Sequence, residues 1–364
     1  MINDVCSEFK SGKNIKADSI SESGEYPVYG GNGLRGYTSS YNHEGLYVLI
    51  GRQGALCGNV RSVNGKTYIT EHAIAAAGNE KSNTSFLHYL FLKMNLGQYS
   101  DQSAQPGLAV NKLLKLKVIL PSISEQTKIA RLLSLLDECI ATQSKIIDKL
   151  QSLIKGIADN ILDNPLWKKT YLRSFMQFFS TNSLSWEQLS YEEGEIRNLH
   201  YGLIHGFFTS GIKSYSLPMV KYGEMPKQYT LCQVGDVAFA DASEDTDEIG
   251  KSVEFVDTIK GDTICGLHTI HGRDIKNRTV VGFKGFAFNS RYFHNQIKRL
   301  AQGTKVFSIT ANNLSSCYVY LPDVETQKVI VKLLKAYEEQ LIISRMTLKQ
   351  YEKQKQYLLL QMFI

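Results

Sequence analysis

The stretch LPSISEQTKIARLL at residues 120–133 decides the fold, because it returns as LPDVETQKVIVKLL at residues 321–334. Leu, Pro, Gln, Ile and a Leu-Leu pair stand at the same places in both copies, at an offset of 201 residues (321 minus 120). A long helical pattern follows each copy. An internal repeat of this kind predicts two related units, each about half of the 364-residue chain.

Each copy continues as a stripe at steps of four and three residues, the a/d pattern of a coiled coil sustained for about four heptads. The first stripe consists of Ile129, Leu133, Leu136, Ile140, Gln143, Ile147, Leu150, Ile154 and Ile157. The second consists of Ile330, Leu334, Tyr337, Leu341, Ser344, Leu348, Tyr351, Lys355 and Leu358. Pro121 and Pro322 precede the stripes, and we expect Ser124 and Asp323 to cap the two helices.

We expect the two helices to pair in an antiparallel coiled coil, with one globular unit at each end of a pseudo-two-fold stalk. In such a pair the fifth layers face each other, and these are Gln143 and Ser344. One buried polar layer would help to fix the register of the pair. The alternative is that both residues are simply exposed.

The segments before the two repeats are rich in aromatic and β-branched residues between Gly and Asn turns, which predicts β-rich domains. In the first segment the runs are YPVYG (26–30), LYVLIG (46–51), NVRSV (59–63) and KTYITEH (66–72). In the second they are YTLCQVGDVAFAD (229–241), SVEFVD (252–257) and TVVGFKGFAF (279–288). A fainter correspondence aligns ITEHAI with ICGLHTI and thereby His72 with His268. The fold class is therefore predicted to be α+β.

Composition limits the possible classes of function but does not identify one of them. The net charge of +6 is compatible with nucleic-acid binding but does not require it. We find no apolar run near 18 residues and no apolar core of a signal peptide in MINDVCSEFKSGKNIK. Six cysteines without CxxC spacing indicate reduced thiols in the cytoplasm rather than disulfides or zinc.

Several motifs resemble catalytic or cofactor sites, but the residues around them do not support such a site. GNGLRG (31–36) matches GxGxxG, but YTSSYNHEG (37–45) does not open the helix that pyrophosphate binding needs. We interpret it as a glycine-rich β-turn or as a DNA-facing loop. His268-x-x-His271 lacks further metal ligands at useful spacing. No nucleophile triad is recognisable, so we predict no catalysis, no metal and no cofactor.

The order of these motifs resembles that of specificity (S) subunits of type I restriction–modification systems. The resemblance covers essentially the whole chain. It is carried by YPVYGGNGLRGY (26–37), VLIGRQGALCGNV (48–60), QPGL (105–108), GDVAFADASEDTDEIGKSV (235–253) and the paired LP…Q…I…LL starts. Family members often have a few more residues before the MINDVCSEF run, so the first strand is expected to be short or the start truncated.

The resemblance implies two target recognition domains, at residues 1–121 and 165–321, and two conserved helical spacers, at 122–164 and 322–364. It implies that the chain reads a bipartite site on double-stranded DNA and has no catalysis of its own. The implied partners are two methyltransferase subunits, which bring S-adenosylmethionine chemistry on adenine, and motor–nuclease subunits. A helix from Ile129 to Ile157 rises about 42 Å, which suits two readers about one DNA turn of 34–36 Å apart.

We expect DNA to be bound by side chains that suit base edges or phosphates, with close backbone approach at Gly30, Gly31 and Gly33. In the first domain the candidates are Lys13, Tyr29, Asn32, Arg35, Tyr37, Arg52, Gln53, Gln102 and Gln105. In the second they are Tyr201, Lys213, Asp241, Ser243, Lys251, His268, Arg273 and Lys305. The alternative for each is a solvated loop residue, and for the chain a two-lobed protein-interaction scaffold without DNA recognition.

Overall fold

The computed structural model describes residues 1–101, 106–207, 210–212, 216–257 and 262–363. The chain divides into two compact units, Met1–Lys145 with Met346–Ile364, and Ile146–Arg345. Each unit contains β-sheets, short helices and parts of two long helices. This confirms the predicted α+β class. No helix of the described part of the chain is long and apolar enough to cross a membrane.

The first unit is built on two four-stranded sheets, in the orders β1-β8-β5-β6 and β3-β2-β7-β4. The strands are β1 (Cys6–Ser11), β2 (Tyr26–Gly30), β3 (Gly33–Thr38), β4 (His43–Glu44), β5 (Tyr47–Gly51), β6 (Val60–Val63), β7 (Lys66–Ile69) and β8 (Ala73–Gly78). The short helices are α1 (Ile2–Val5), α2 (Thr84–Met94) and α3 (Val110–Leu113). Helix α2 packs Phe86 and Phe91 against Val48 and Ile50 of β5. The central strands are apolar because both of their faces are covered.

The second unit contains a five-stranded sheet, β10-β19-β15-β17-β13, a four-stranded sheet, β11-β14-β12-β18, and the pairs β16-β20 and β21-β9. Its strands are β9 (Lys168–Tyr171), β10 (Met176–Phe179), β11 (Leu189–Ser190), β12 (Arg197–Leu199), β13 (Gly211–Ile212), β14 (Met219–Val220), β15 (Val237–Ala240), β16 (Ala242–Ser243), β17 (Ser252–Phe255), β18 (Thr263–Cys265), β19 (Thr269–Asp274), β20 (Phe307–Ser308) and β21 (Tyr318–Leu321). Its short helices are α5 (Tyr201–Gly206), α6 (Phe283–Ala287), α7 (Arg291–Leu300) and α8 (Ala311–Ser316).

One predicted β-like run is helical instead. The segment TVVGFKGFAF (279–288) contains no strand and forms α6 after Gly282, whose φ is +94°. Phe283 and Phe286 are both buried in the core of the second unit. The prediction was wrong because a short helix that is buried on all sides has a composition close to that of a buried strand, so periodicity cannot separate the two.

The long helices are α4 (Ile123–Leu162) and α9 (Val324–Gln361). In the first unit, Ile129 and Leu133 near the start of α4 share a core cluster with Tyr351 and Leu358 near the end of α9. In the second unit, the reverse ends share a cluster, with Ala158 and Leu162 of α4 beside Ile330, Val331 and Leu334 of α9. The helices therefore run in opposite directions, as predicted.

Every member of the two predicted stripes is buried or half-buried. Leu133 and Leu334, which stand at equivalent places, are both fully buried. Their neighbours Leu132 and Leu333 are both 40% exposed. Gln143 is half-buried and Ser344 is buried, and their pairing across the helices stays a prediction.

The two long helices begin with different caps. Asp323 caps α9 as predicted, because its Oδ1 accepts a hydrogen bond from the N–H of Thr326 at 2.9 Å. The prediction for α4 was wrong, since Ser124 lies inside the helix. Ser122 is the cap, with its Oγ accepting from the N–H of Glu125 at 3.3 Å while the Glu125 carboxylate accepts from the Ser122 N–H at 3.0 Å.

The glutamine of the repeat fastens each helix start to its own unit. Gln126 is fully buried, donates to the carbonyls of Lys81 and Pro121 at 3.0 and 2.9 Å, and accepts from the N–H of Asn83 at 2.9 Å. Gln327 has the equivalent partners, the carbonyls of Arg278 and Pro322 at 3.0 Å each, and the N–H of Val280 at 2.9 Å. A buried amide with three satisfied bonds explains why this residue recurs.

Candidate nucleic-acid interface

The glycine-rich stretch of the first unit is a tight hairpin. Strands β2 and β3 pair Gly30 with Gly33 across a two-residue turn of Gly31 and Asn32, and Gly33 has a φ of +108°. Only glycine adopts this φ without strain. The strand that follows Gly33 leaves no helix N-terminus for a pyrophosphate, so the β-turn interpretation of this motif is confirmed.

Two arginines lie against the tip of this hairpin. A Cβ added at Gly33 would stand 2.1 Å from Nη1 of Arg61, and one added at Gly30 would stand 2.8 Å from Cδ of Arg35. The glycines thus make room for both side chains. Arg35 and Asn32 are exposed, and Arg61 is half-buried. The hairpin therefore presents two positive charges next to an exposed amide.

The loop after β5 packs beside the hairpin. A Cβ at Gly31 would stand 2.8 Å from the carbonyl oxygen of His72 and 3.6 Å from the Gly51 Cα, which shows how closely the three segments approach. The N–H of Arg52 donates to the His72 carbonyl at 2.9 Å, and the Arg52 carbonyl accepts from the N–H of Leu108 at 2.9 Å. The Nε of Arg52 is buried and has no hydrogen-bond partner among the described residues. Burial of the Arg52 Nε–H without an acceptor is energetically unfavourable.

His72 completes this cluster. Its Nδ1 lies 3.0 Å from Oε1 of Gln53, and its Nε2 lies 3.1 Å from Oε1 of Glu71. The His72 side chain is 45% exposed. These contacts place a polar imidazole on the surface beside Gln53.

The second unit repeats the backbone arrangement with different side chains. The N–H of Asp241 donates to the His268 carbonyl at 3.1 Å, and the Asp241 carbonyl accepts from the N–H of Ile309 at 3.0 Å. Asp241 thus holds the position that Arg52 holds in the first unit, and His268 holds that of His72. This agrees with the alignment of the two histidines in the sequence.

Asp241 and His268 also interact through their side chains. Nδ1 of His268 lies 3.1 Å from Oδ1 of Asp241, and both side chains remain partly exposed. Burial raises the pKa of Asp241, and the neighbouring His268 opposes that rise. His268 has a φ of +54°, an uncommon conformation for a residue with a Cβ. Such local strain is found preferentially at functional sites.

A row of rings extends from His268 through Tyr201 and His200 to Trp186. The ring of Tyr201 meets that of His268 edge-on at 5.2 Å between centroids, and His200 lies 4.8 Å from Tyr201. Trp186 lies 4.4 Å from His200 and is itself exposed. These ring contacts hold Tyr201 and His268 in place at the surface.

Two predicted contacts of the second unit are engaged inside the protein. Arg273 forms a bidentate pair with Asp236, at 2.8 Å from Nε and 2.7 Å from Nη2, and also donates to the Leu231 carbonyl at 2.8 Å. Lys251 donates to Glu248 at 3.0 Å and to the His205 carbonyl at 3.1 Å. These bonds use the donors that a base or phosphate would need, so we leave Arg273 and Lys251 out of the candidate interface.

The remaining predicted residues have the following placements. Exposed on the surface are Lys13, Asn32, Arg35, Gln53 and Lys305. His268 is also exposed, whereas Tyr29, Tyr37, Arg52, Tyr201, Asp241 and Ser243 are half-buried. Outside the described residues are Gln102, Gln105 and Lys213.

The structure adds Arg61, His72, His200 and Trp186 to the candidate interface, and the sequence analysis did not single them out as DNA contacts. Arg61 lies in a plain strand, and only the close approach to Gly33 reveals its place. For His72 a signal existed, because the alignment of ITEHAI with ICGLHTI pairs it with His268.

Known proteins resemble this chain in sequence and in fold. A family model described as "Type I restriction modification DNA specificity domain" matches residues 1–152 and 266–352. The EcoprrI specificity subunit of Escherichia coli is 46% identical over 134 residues, which cover 36% of this chain and 33% of that protein. The MjaVIII specificity subunit of Methanocaldococcus jannaschii is 24% identical over 290 residues, 73% of this chain and 67% of that protein.

A solved structure has the same fold over the full chain. The S subunit of a type I restriction–modification system from M. genitalium matches 100% of this chain and 95% of its own, with a TM-score of 0.65 and 16% identity. At this identity the likeness concerns the fold. The two curated specificity subunits with the higher identities are matched over only 33% of their own length.

Proposed function

The chain belongs to the family of type I restriction–modification DNA specificity domains, and from this we propose that it recognises a bipartite sequence on double-stranded DNA. The first target recognition domain comprises residues 1–121 and the second residues 165–321. Residues 122–164 and 322–364 are the helical spacers that set the distance between the half-sites. The two-lobed interaction scaffold is the alternative that the experiment below distinguishes.

One observation carries the proposal: equivalent positions of the two units hold side chains of opposite charge. Arg52 and Asp241 share the same backbone hydrogen bonds to a histidine and to a downstream strand or loop. Arginine binds guanine through O6 and N7 in the major groove, whereas a carboxylate accepts from the amine of cytosine. One scaffold with exchanged side chains would read two different half-sites.

Exposed cations beside these positions suit phosphates. In the first unit these are Lys13 and Arg35, and in the second unit Lys305. Contacts of this kind fix the position of a protein on the duplex and make binding depend on salt. Asn32 at the hairpin tip and Gln53 beside His72 offer amides that pair with adenine.

Exposed leucines on the long helices suit the docking of partner subunits. Leu132 and Leu135 are exposed on the part of α4 that belongs to the first unit, and Leu333 and Val329 on the part of α9 that belongs to the second. Leu132 and Leu333 stand at equivalent places in the repeat, and each has a second exposed apolar side chain within about one helix turn, which makes a patch suited to interaction. We propose that each unit docks one methyltransferase subunit there, and that motor–nuclease subunits join the assembly.

In this proposal the chain itself is not an enzyme. The methyltransferase subunits bring the S-adenosylmethionine chemistry, and this chain supplies recognition and geometry in the cytoplasm. The described candidate side chains are of types suited to bases and phosphates, and backbone hydrogen bonds fix the positions of Arg52 and Asp241.

Methylome sequencing of cells that express the chain with its methyltransferase subunits tests the proposal. We expect methylated adenines in one bipartite motif with a constant spacer. Arg52→Ala should relax only one half of the motif, and Asp241→Ala only the other. Lys276→Ala, an exposed lysine outside the interface, serves as the control. A methylation pattern that is unchanged when this chain is omitted would leave the scaffold as the better explanation.

A further inference from the structure

We propose that Cys232, Cys265 and His271 bind a single zinc ion in the second unit. The two Sγ atoms lie 3.5 Å apart. One ligand atom from each of the three residues lies within 4.8 Å of the other two. All three residues are buried. Thiolates and imidazole are the ligands that zinc prefers in proteins.

The spacing suits zinc better than a disulfide. A tetrahedral zinc with Zn–S bonds of about 2.3 Å holds its sulfurs about 3.8 Å apart. The observed separation of 3.5 Å needs only a small adjustment to reach that value. A disulfide would need the two sulfurs to approach to about 2.05 Å.

A second layer of side chains orients the histidine. Nε2 of His271 lies 2.7 Å from Oδ2 of Asp236, and Asp236 is held by Arg273 and by the N–H of Gln233 at 2.8 Å. A carboxylate that binds the imidazole of a ligand histidine is the usual neighbour of a zinc site.

The charges balance inside the core. Two thiolates neutralise the divalent ion, and the Asp236 carboxylate is paired with the guanidinium of Arg273. A buried charge without a counter-charge would be strongly unfavourable. The cluster can therefore hold an ion without leaving net charge in the apolar surroundings of Leu199 and Phe255.

The ion would join two sheets and fix the loop between them. Cys265 ends β18 of the four-stranded sheet, and His271 lies in β19 of the five-stranded sheet. Cys232 follows Leu231, which bridges to Ile264 of β18. His268, at the candidate interface, is three residues after Cys265 and three residues before His271. This step rests on the proposed function: we infer that the metal holds the loop between β18 and β19 in the conformation that gives His268 its positive φ.

Metal analysis of the full-length chain tests the site without DNA, so its result is independent of the proposed function. The chain is purified under reducing conditions, saturated with zinc, dialysed, and measured by mass spectrometry of the metal. We expect about one zinc per chain, and its loss in Cys232→Ser and in Cys265→Ser. Cys317→Ser, which alters another buried thiol of the same unit, should keep the ion. Wild-type chain that retains no zinc, or variants that retain as much as wild type, would overturn the proposal.

Two readouts remain informative if a variant fails to fold. Cobalt in place of zinc in the wild-type chain should give thiolate-to-metal charge-transfer bands and the visible bands of a tetrahedral site. A chelator should lower the melting temperature of wild-type chain and of Cys317→Ser. The absence of the cobalt bands would contradict the site, and so would recovery of Cys232 and Cys265 as a disulfide from freshly purified chain.

Discussion

Arg52 and Asp241 occupy the same backbone position in two different units. The N–H of Arg52 donates to the His72 carbonyl at 2.9 Å, and that of Asp241 to the His268 carbonyl at 3.1 Å. The scaffold is thus repeated while the charge at its edge is reversed. Because base recognition depends on donors and acceptors, the two units are equipped to prefer different bases.

The first prediction concerns base contacts. Arg52→Ala should weaken binding to the cognate duplex by about 1–3 kcal/mol, because a bidentate contact to guanine is lost. Binding to unrelated duplex should change little. Fluorescence anisotropy on both duplexes, with the methyltransferase subunits present, measures the difference. An equal loss on both duplexes would assign Arg52 to a phosphate instead.

The second prediction concerns phosphate contacts. Arg35→Ala and Lys13→Ala should each reduce the slope of log affinity against log salt by about one, since each removes one neutralised phosphate. The loss of affinity should be the same for every sequence. Salt titrations of the same anisotropy signal measure the slope, with Lys276→Ala as the control. A sequence-dependent loss for Arg35→Ala would move this residue to the base contacts.

The third prediction concerns the glutamines of the repeat. Gln126→Ala and Gln327→Ala should each lower the free energy of unfolding by about 1–3 kcal/mol, because buried backbone partners lose their hydrogen bonds. Gln340→Ala removes an exposed glutamine from α9 and should cost far less. Chemical denaturation of the full chain measures all three. Equal stability of the variants and wild type would mean that water replaces the amide.

The fourth prediction separates helix packing from partner docking. Leu133→Asp should unfold the first unit, because Leu133 is fully buried in its core. Leu132→Asp should leave the chain folded and abolish capture of the methyltransferase subunit, since Leu132 is exposed. Leu166→Asp, at an exposed leucine just after α4, is the matched control. Co-purification and circular dichroism check the outcome; normal assembly of Leu132→Asp would remove this face from the docking surface.

The fifth prediction concerns acid stability. Burial lowers the pKa of His88 in α2 from 6.5 to about 4. His88 takes up its proton at a higher pH in the unfolded chain than in the folded chain. The free energy of unfolding should therefore be constant above about pH 6.5 and should fall as the pH drops toward about 4. The loss should reach about 3 kcal/mol at most. Unfolding of wild type, His88→Gln and His72→Gln at several pH values measures it. The loss of stability at low pH should become smaller only in His88→Gln. An equal loss in wild type and both variants would show that another group is responsible.

Much of the fold could be predicted because its signals are local in the sequence. Spacings of three and four residues identified α4 and α9, since a helix brings such residues to one face. Gln126 and Gln327 stand at the same place in the repeat, and their hydrogen bonds show that the two environments are equivalent. The signal failed at residues 283–287, where full burial removes the contrast between faces.

The sequence by itself thus determined the two units, their two long helices and the hairpin of Gly31 and Asn32. Only the tertiary structure decided which side chains meet at the sites. Arg61 reaches Gly33, Arg273 is taken by Asp236, and Cys232 meets Cys265. The physical reason is that these contacts depend on strand register and on how sheets pack. Neither can be predicted from sequence spacing, because the members of these three pairs lie 28, 37 and 33 positions apart, respectively.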